Sequence, residues 1–268
     1  MIVPRPSVLS FGGGVNSTAL LVGLAERAEL PHLVLFADTG GERPATYRHV
    51  ERMAAWCAVR GVPFVTVTNG GRGQGATLEE NCFTRKELPS LAYGFKGCSS
   101  KWKRQPMDRY VREWAPAVEC WENGGKVLRL IGIDAGESHR AVLTEDAKHV
   151  YRYPLVEWGW TREECVATIR AAGLEVPPKS SCFFCPAMRR HEILRLAEDE
   201  PDLFARAVAI EENAETHTVV GLGRNWKWAD IVRQDKAQGK LWGSPEIPCG
   251  CMDESESDSE QPKPEVQP

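Results

Sequence analysis

Short apolar runs alternate with stretches of helical period, and this order restricts the chain to few architectures. Residues 7–11, 32–37, 63–68 and 126–133 read as strands. The run 32–37 (HLVLFA) is dense in apolar side chains, as a strand covered on both faces must be. Between the strands, 16–29 sets Leu20, Leu21 and Leu24 on one side of a helix, and 46–60 forms a second helix. Strand and helix in alternation predict an α/β fold: a twisted, Rossmann-like parallel sheet with helices on both faces. Residues 153–156 are a candidate fifth strand. Thr161-Arg-Glu-Glu164 is a capping box opening a helix over 161–172, with Gly173 as its stop. Further helical patterns over 187–198 and 201–215 make the C-terminal part helical. Residues 69–100, with Gly70, Gly71, Gly73, Gly75, Gly94 and Gly97, read as a long irregular connection of the kind used for function.

Charge is unevenly spread. The 268 residues carry 33 Lys and Arg against 37 Asp and Glu, a net charge of −4. This excludes a wholly basic nucleic-acid coat. The acidic end, 253–268, holds six acids and one Lys and reads as disordered. Residues 85–112 hold eight bases and two acids, which suits a phosphate-bearing ligand or a solvated surface. No apolar run reaches a membrane span, and the first residues lack the features of a signal peptide. Nine cysteines without a secretion signal point to metal or redox chemistry in a reducing cytoplasm.

In parallel sheets of this kind ligands sit beyond the carboxyl ends of the strands, and three loops there carry chemistry. Ser10-Phe-Gly-Gly-Gly-Val-Asn-Ser-Thr18 joins the first strand to a helix. Gly12, Gly13 and Gly14 let backbone N–H groups approach an anion, the helix adds its positive end, and Ser17 and Thr18 add hydroxyls. A tight turn without a ligand is the plainer reading. The run Gly12-Gly-Gly-Val-Asn-Ser17 resembles the PP-loop of adenine-nucleotide alpha hydrolases, usually Ser-Gly-Gly-x-Asp-Ser. Gly12 replaces the first Ser and Asn16 replaces Asp, with loss of a charge. Asp38-Thr-Gly-Gly-Glu-Arg-Pro-Ala-Thr46 is similar to a signature of the phosphoadenosine phosphosulfate (PAPS) reductase branch. The resemblance implies Asp38 near a ribose, water or metal, with Thr39 and Gly40 turning over the nucleotide. A helix cap is the alternative role for Asp38. Gly132-Ile-Asp-Ala-Gly-Glu-Ser-His-Arg140 resembles a third element of that family, implying that Arg140 meets phosphate or sulfate while Glu137 and Ser138 line the pocket, with Gly132 in the same loop. His139 is read equally as a third pocket residue and as a solvated loop residue.

The family resemblance extends to the cysteines. Ser181-Cys-Phe-Phe-Cys-Pro186 is a CxxC pair. Gly97-Cys-Ser-Ser-Lys-Trp-Lys-Arg-Gln-Pro106 resembles the Cys-Cys-x-x-Lys-x-x-Pro element of iron–sulfur sulfonucleotide reductases, with Ser99 in place of the second Cys. The resemblance implies Cys98, Cys182 and Cys185 as ligands of a 4Fe-4S cluster. Cys251, in Cys249-Gly-Cys251, is a fourth candidate and Cys82 another; zinc is the competing metal and reduced packing thiols the plain alternative. Cys57, Cys120 and Cys165 read as packing residues. Cys249 compares with the nucleophilic tail cysteine of PAPS reductases, though the flanking Glu and His are absent. Lys101, Lys103 and Arg104 are expected around the distal phosphate or sulfate, with magnesium as a further candidate cofactor. Trp158, Trp160, Trp226 and Trp228 are read as packing ahead of base stacking.

These readings predict a PAPS-reductase-like nucleotide-binding domain over 1–200, a helical extension of it over 201–252 and the acidic tail. The expected ligand is an adenine nucleotide, either PAPS or a related sulfonucleotide or ATP. Two chemistries fit: sulfonucleotide reduction with a thiol-reductant protein partner, in which Asp38, Arg140 and Cys249 would act, or ATP-dependent sulfur transfer to nucleic acid. A binding protein without turnover is the rival class.

Overall fold

The computed structural model describes residues 5–70 and 75–239. The chain divides into Met1–Val232, which holds the fold below, and Arg233–Pro268. The tail 253–268, Cys249 and Cys251 lie outside the described residues.

Strand β1 (Ser7–Phe11) is followed by α1 (Val15–Glu26), β2 (Leu33–Asp38), α2 (Pro44–Ala58), β3 (Phe64–Thr68) and α3 (Leu78–Arg85). A 3-10 turn (Ser90–Tyr93) leads to one continuous helical run: α4 (Gly97–Ser99), a π-helical turn (Ser100–Arg104) and α5 (Gln105–Glu113). Helix α6 (Ala115–Glu122), β4 (Val127–Ile131), a 3-10 helix (Ala135–Arg140) and β5 (His149–Arg152) follow. Helices α7 (Pro154–Glu157), α8 (Arg162–Ala171), α9 (Arg190–Asp199), α10 (Pro201–Asn213) and α11 (Trp228–Gly239) complete the described chain.

The sheet runs β3-β2-β1-β4-β5 and every pairing is parallel. The expected α/β class is therefore present. Period-two alternation covers both faces. Leu9, Phe11, Val34, Phe36 and Leu130 pack with α1, α2 and α8, while Val8, Leu33, Leu35, Ala37 and Val127 pack with Val111 and Ala117 of α5 and α6. A third core, around Phe183, Phe184, Ile193, Leu196, Ile210 and Trp228, joins the CxxC loop to α9 and α10. Among the described residues no helix is long and apolar enough to cross a membrane.

Two segments differ from the sequence reading. The fifth strand is 149–152, and 154–157 is a helical turn. Pro154 supplies no N–H to a ladder, but its fixed φ suits the first helical position. The connection 69–100 is not wholly irregular. Thr77 and Glu80 form a capping box that opens α3, a signal masked by the surrounding glycines. The tryptophans do pack. Trp158 and Trp160 sit against Gly23, with the Arg27 guanidinium 4.0 Å from the Trp158 ring, and Trp228 is buried.

Strand β1 lies between β2 and β4, so successive connections leave it toward opposite sides. The crevice this opens lies beyond the ends of β1 and β4. There Gly132 lets two backbones meet: a Cβ on it would stand 3.0 Å from the Asn16 carbonyl carbon and oxygen and the Ser17 nitrogen. No rotamer relieves a clash with backbone. Gly132→Ala is expected to cost about 1–3 kcal/mol of stability, read from the urea midpoint. Its role is close packing of the two loops.

Candidate functional site

Helix α1 starts at Gly14 with no side-chain cap and no acid in its first turn, so its first N–H groups face outward without a protein carboxylate. Gly13 holds the left-handed φ of +74° that the turn requires. The hydroxyls of Ser17 and Thr18 do not point outward. Both donate to the Gly14 carbonyl, at 3.1 and 2.9 Å, and the Thr18 N–H joins them at 3.1 Å. Thr18 is fully buried, so it supports the turn rather than donating to a ligand.

In front of this loop lies a cavity of about 420 Å³. Ser10 of β1, Gly12, Ala37 of β2, Ile131 of β4, Lys103, Arg104 and Arg140 are among the residues that line it, whereas Gly13, Gly14, Asn16 and Ser17 are not. Each cation is pre-positioned. Lys103 Nζ lies 2.9 Å from Glu42 Oε1, Arg104 donates to Ser100 Oγ at 3.0 Å, and Arg140 meets Glu137 at 2.6 Å. Burial lowers the Lys103 pKa, but the Glu42 carboxylate outweighs it and raises it. Lys103 is therefore an ammonium at neutral pH. Lys101 does not join this group. It lines a second cavity of about 290 Å³ with Cys82 and Cys98, on another side of the same helical run. The basic stretch is also divided by pairing: Arg85 meets Glu87 and Lys86 meets Glu215.

Asp38 Oδ1 accepts from the Gly40 N–H at 2.7 Å and the Tyr47 hydroxyl at 2.8 Å. Burial and the Asp38 carboxylate push the Tyr47 phenol far above its ordinary range, so it remains a donor. Thr39 and Gly40 do not line the cavity. The Thr39 hydroxyl lies 3.2 Å from Cys182 Sγ, and Gly40 presses on Thr77 at a φ of +73°. These residues tie the second loop to the CxxC loop and to α3. Glu137 and Ser138 lie in the 3-10 helix 135–140 with Arg140.

Four residues outside the expected site tie its loops together. Asp134, nearly buried, accepts from Asn16 Nδ2 at 2.9 Å through Oδ2 and from the Glu137 N–H through Oδ1. Arg162 donates to Asn16 Oδ1 at 3.2 Å. A carboxylate from the turn after β4, at the cap of the 3-10 helix, thus stands beside position 16. Ser180 donates to the Gly12 carbonyl at 2.5 Å and lies 3.4 Å from Glu42, joining the CxxC loop to the glycine loop. Glu42, buried, pairs in an isolated bridge with Cys182.

Cys98, Cys182 and Cys185 belong to one apolar cluster with Cys82. Burial, with the Glu42 charge, pushes the Cys182 thiol up to about 12. Burial also raises Cys185, to which the Cys98 charge contributes. Such thiols stay protonated in the apo protein and lose the proton only to a positive ligand. Among the described residues no three Cys, His, Asp or Glu side chains converge as a single metal ion requires. Cys57 and Cys165 are buried packing residues.

No family model matches the chain. An uncharacterized protein of Methanocaldococcus jannaschii is 25% identical over 240 residues, covering 84% of this chain and 45% of that protein. The chain thus spans less than half of that relative's length. Among solved structures, a U34-tRNA thiolase from Methanococcus maripaludis with its 4Fe-4S cluster superposes with a TM-score of 0.44 at 14% identity, covering 94% of this chain and 78% of the other. An ammonia-dependent NAD synthetase from Campylobacter jejuni, in complex with nitrate, gives a TM-score of 0.31 at 13% identity, over 92% and 91%.

Proposed function

We propose that the chain is a PP-loop enzyme that binds ATP beyond the ends of β1 and β4 and uses it for sulfur transfer to a nucleic acid. The observation that carries this reading is the Ser180 hydroxyl on the Gly12 carbonyl, which makes the phosphate-type loop and the CxxC loop one site. Phosphates meet the α1 N-terminus, Lys103, Arg104 and Arg140. A nucleic-acid oxygen attacking the α-phosphate expels pyrophosphate, whose growing charge those cations neutralise; sulfide then attacks the activated carbon, and AMP leaves as the C–O bond breaks and the C–S bond forms. The Asp134 carboxylate beside Asn16 favours ATP with magnesium over a sulfonucleotide, since it restores the acidic corner that the loop itself lacks. Cys98, Cys182 and Cys185 would hold a 4Fe-4S cluster, which would supply an iron site for sulfur. Sulfonucleotide reduction is the second reading and rests on Cys249 as nucleophile.

Anaerobically purified full chain is expected to contain iron and sulfide and to lose both in Cys182→Ala. Incubated with ATP, sulfide and tRNA or DNA, it should release pyrophosphate and AMP and leave sulfur in the nucleic acid. Sulfite from PAPS, with no product from ATP, would restore the reductase reading. No product from either, with binding intact, would leave a binding protein.

A further inference from the structure

His49 of α2 does not line the nucleotide cavity, and its side chain is 3% exposed. Its ring lies 6.1 Å from the Phe11 ring, nearly parallel to it. Its Nε2 is 2.8 Å from Thr18 Oγ1, while its Nδ1 is buried with no hydrogen-bond partner among the described residues. Two tautomers satisfy the first contact in opposite ways. With the proton on Nδ1, a buried N–H donor is orphaned, which native proteins almost never tolerate. With it on Nε2, only an acceptor is left over, a smaller cost. The Nε2–H form also frees the Thr18 hydroxyl to donate to the Gly14 carbonyl, 2.9 Å away.

We infer that His49 is a positioning residue for the phosphate-binding loop: its Nε2–H donates to Thr18, whose hydroxyl donates in turn to Gly14. This deepens the nucleotide reading above and rests on it. A trans peptide points its carbonyl and its N–H in opposite directions. Holding the Gly14 carbonyl inward therefore aims the Val15 N–H outward, at the helix N-terminus where a phosphate would lie. Donors in series polarise one another, so the relay holds the peptide more firmly than Thr18 alone. Gly14, on the N-terminal side of that plane, supplies no stiffness of its own.

The test is calorimetric titration of the full chain with ATP and, separately, with adenosine, for the native protein, His49→Gln and His49→Leu. Gln carries its amide nitrogen as many bonds from the backbone as the histidine Nε2. His49→Leu is expected to weaken ATP on the order of tenfold and leave adenosine unchanged, and His49→Gln to recover most of that loss. Nitrogen-15 NMR of the native ring should find the proton on Nε2, a readout that stands even where His49→Leu fails to fold. A proton on Nδ1, an unaltered ATP affinity in the Leu variant, or equal losses for ATP and adenosine would each overturn the inference. Native protein that binds no ATP would overturn the nucleotide reading, and the inference with it.

Discussion

Lys103→Met is expected to destabilise the protein by about 3 kcal/mol and to weaken ATP at least roughly tenfold. The two losses have different causes. Glu42 has a fully buried side chain, whereas Lys103 is about one-third exposed. Removing the ammonium leaves a buried carboxylate whose remaining side-chain hydrogen-bond partner among the described residues is the Ser180 hydroxyl, 3.4 Å away. Breaking a buried pair from one side costs several kcal/mol, and the partial exposure of Lys103 places this pair toward the lower end. The ATP loss instead comes from removing a cation that lines the cavity. Glu42→Gln combined with Lys103→Met separates them. The neutral amide has no charge to desolvate, so urea melts should recover most of the stability, while the ATP affinity stays weak. Recovery of both would place Lys103 in the scaffold only; recovery of neither would mean that the pair is not the source of the stability loss.

This division shows what could be read along the chain. Strand and helix in alternation were legible, because burial on both faces leaves a local record in apolar runs such as 32–37. The three loops at one end of the sheet follow from the parallel class. Lys101 and Lys103 were grouped by sequence, yet two positions apart on one helical run they point different ways. That separation is hidden unless 97–113 is read as helix, and the cluster of glycines and serines before it discourages such a reading. The inward turn of Ser17 and Thr18 was foreseeable, since hydroxyls in a first helical turn can bond back to a carbonyl three or four residues earlier. Asp134 and Ser180 were not. Asp134 meets Asn16 across 118 positions, and Ser180 meets Gly12 across 168. The first contact depends on β4 lying next to β1, a matter of strand order with no local signature.

Between pH 6.5 and 4 the protein is expected to lose about 3 kcal/mol of stability through His49 alone. Burial, reinforced by Arg52 and opposed by Glu175, lowers its imidazole from the ordinary 6.5 to about 4. The folded pKa is the lower one, so the unfolded chain takes up the proton first as pH falls. The stabilisation is complete above the unfolded value and is spent by the time the folded value is reached. Carboxylates titrate in the same window and add their own slopes, so the native curve by itself assigns nothing to His49. His49→Gln cannot bind that proton and keeps every carboxylate. The difference in unfolding free energy between the two proteins, from urea melts at pH 7 and pH 4, removes the shared terms. It should narrow by about 3 kcal/mol on acidification, in favour of the variant. A difference independent of pH would mean that the ring titrates alike in the folded and unfolded chain. It would then not be sealed between Phe11 and Thr18, and the glycine loop would have no fixed donor behind it.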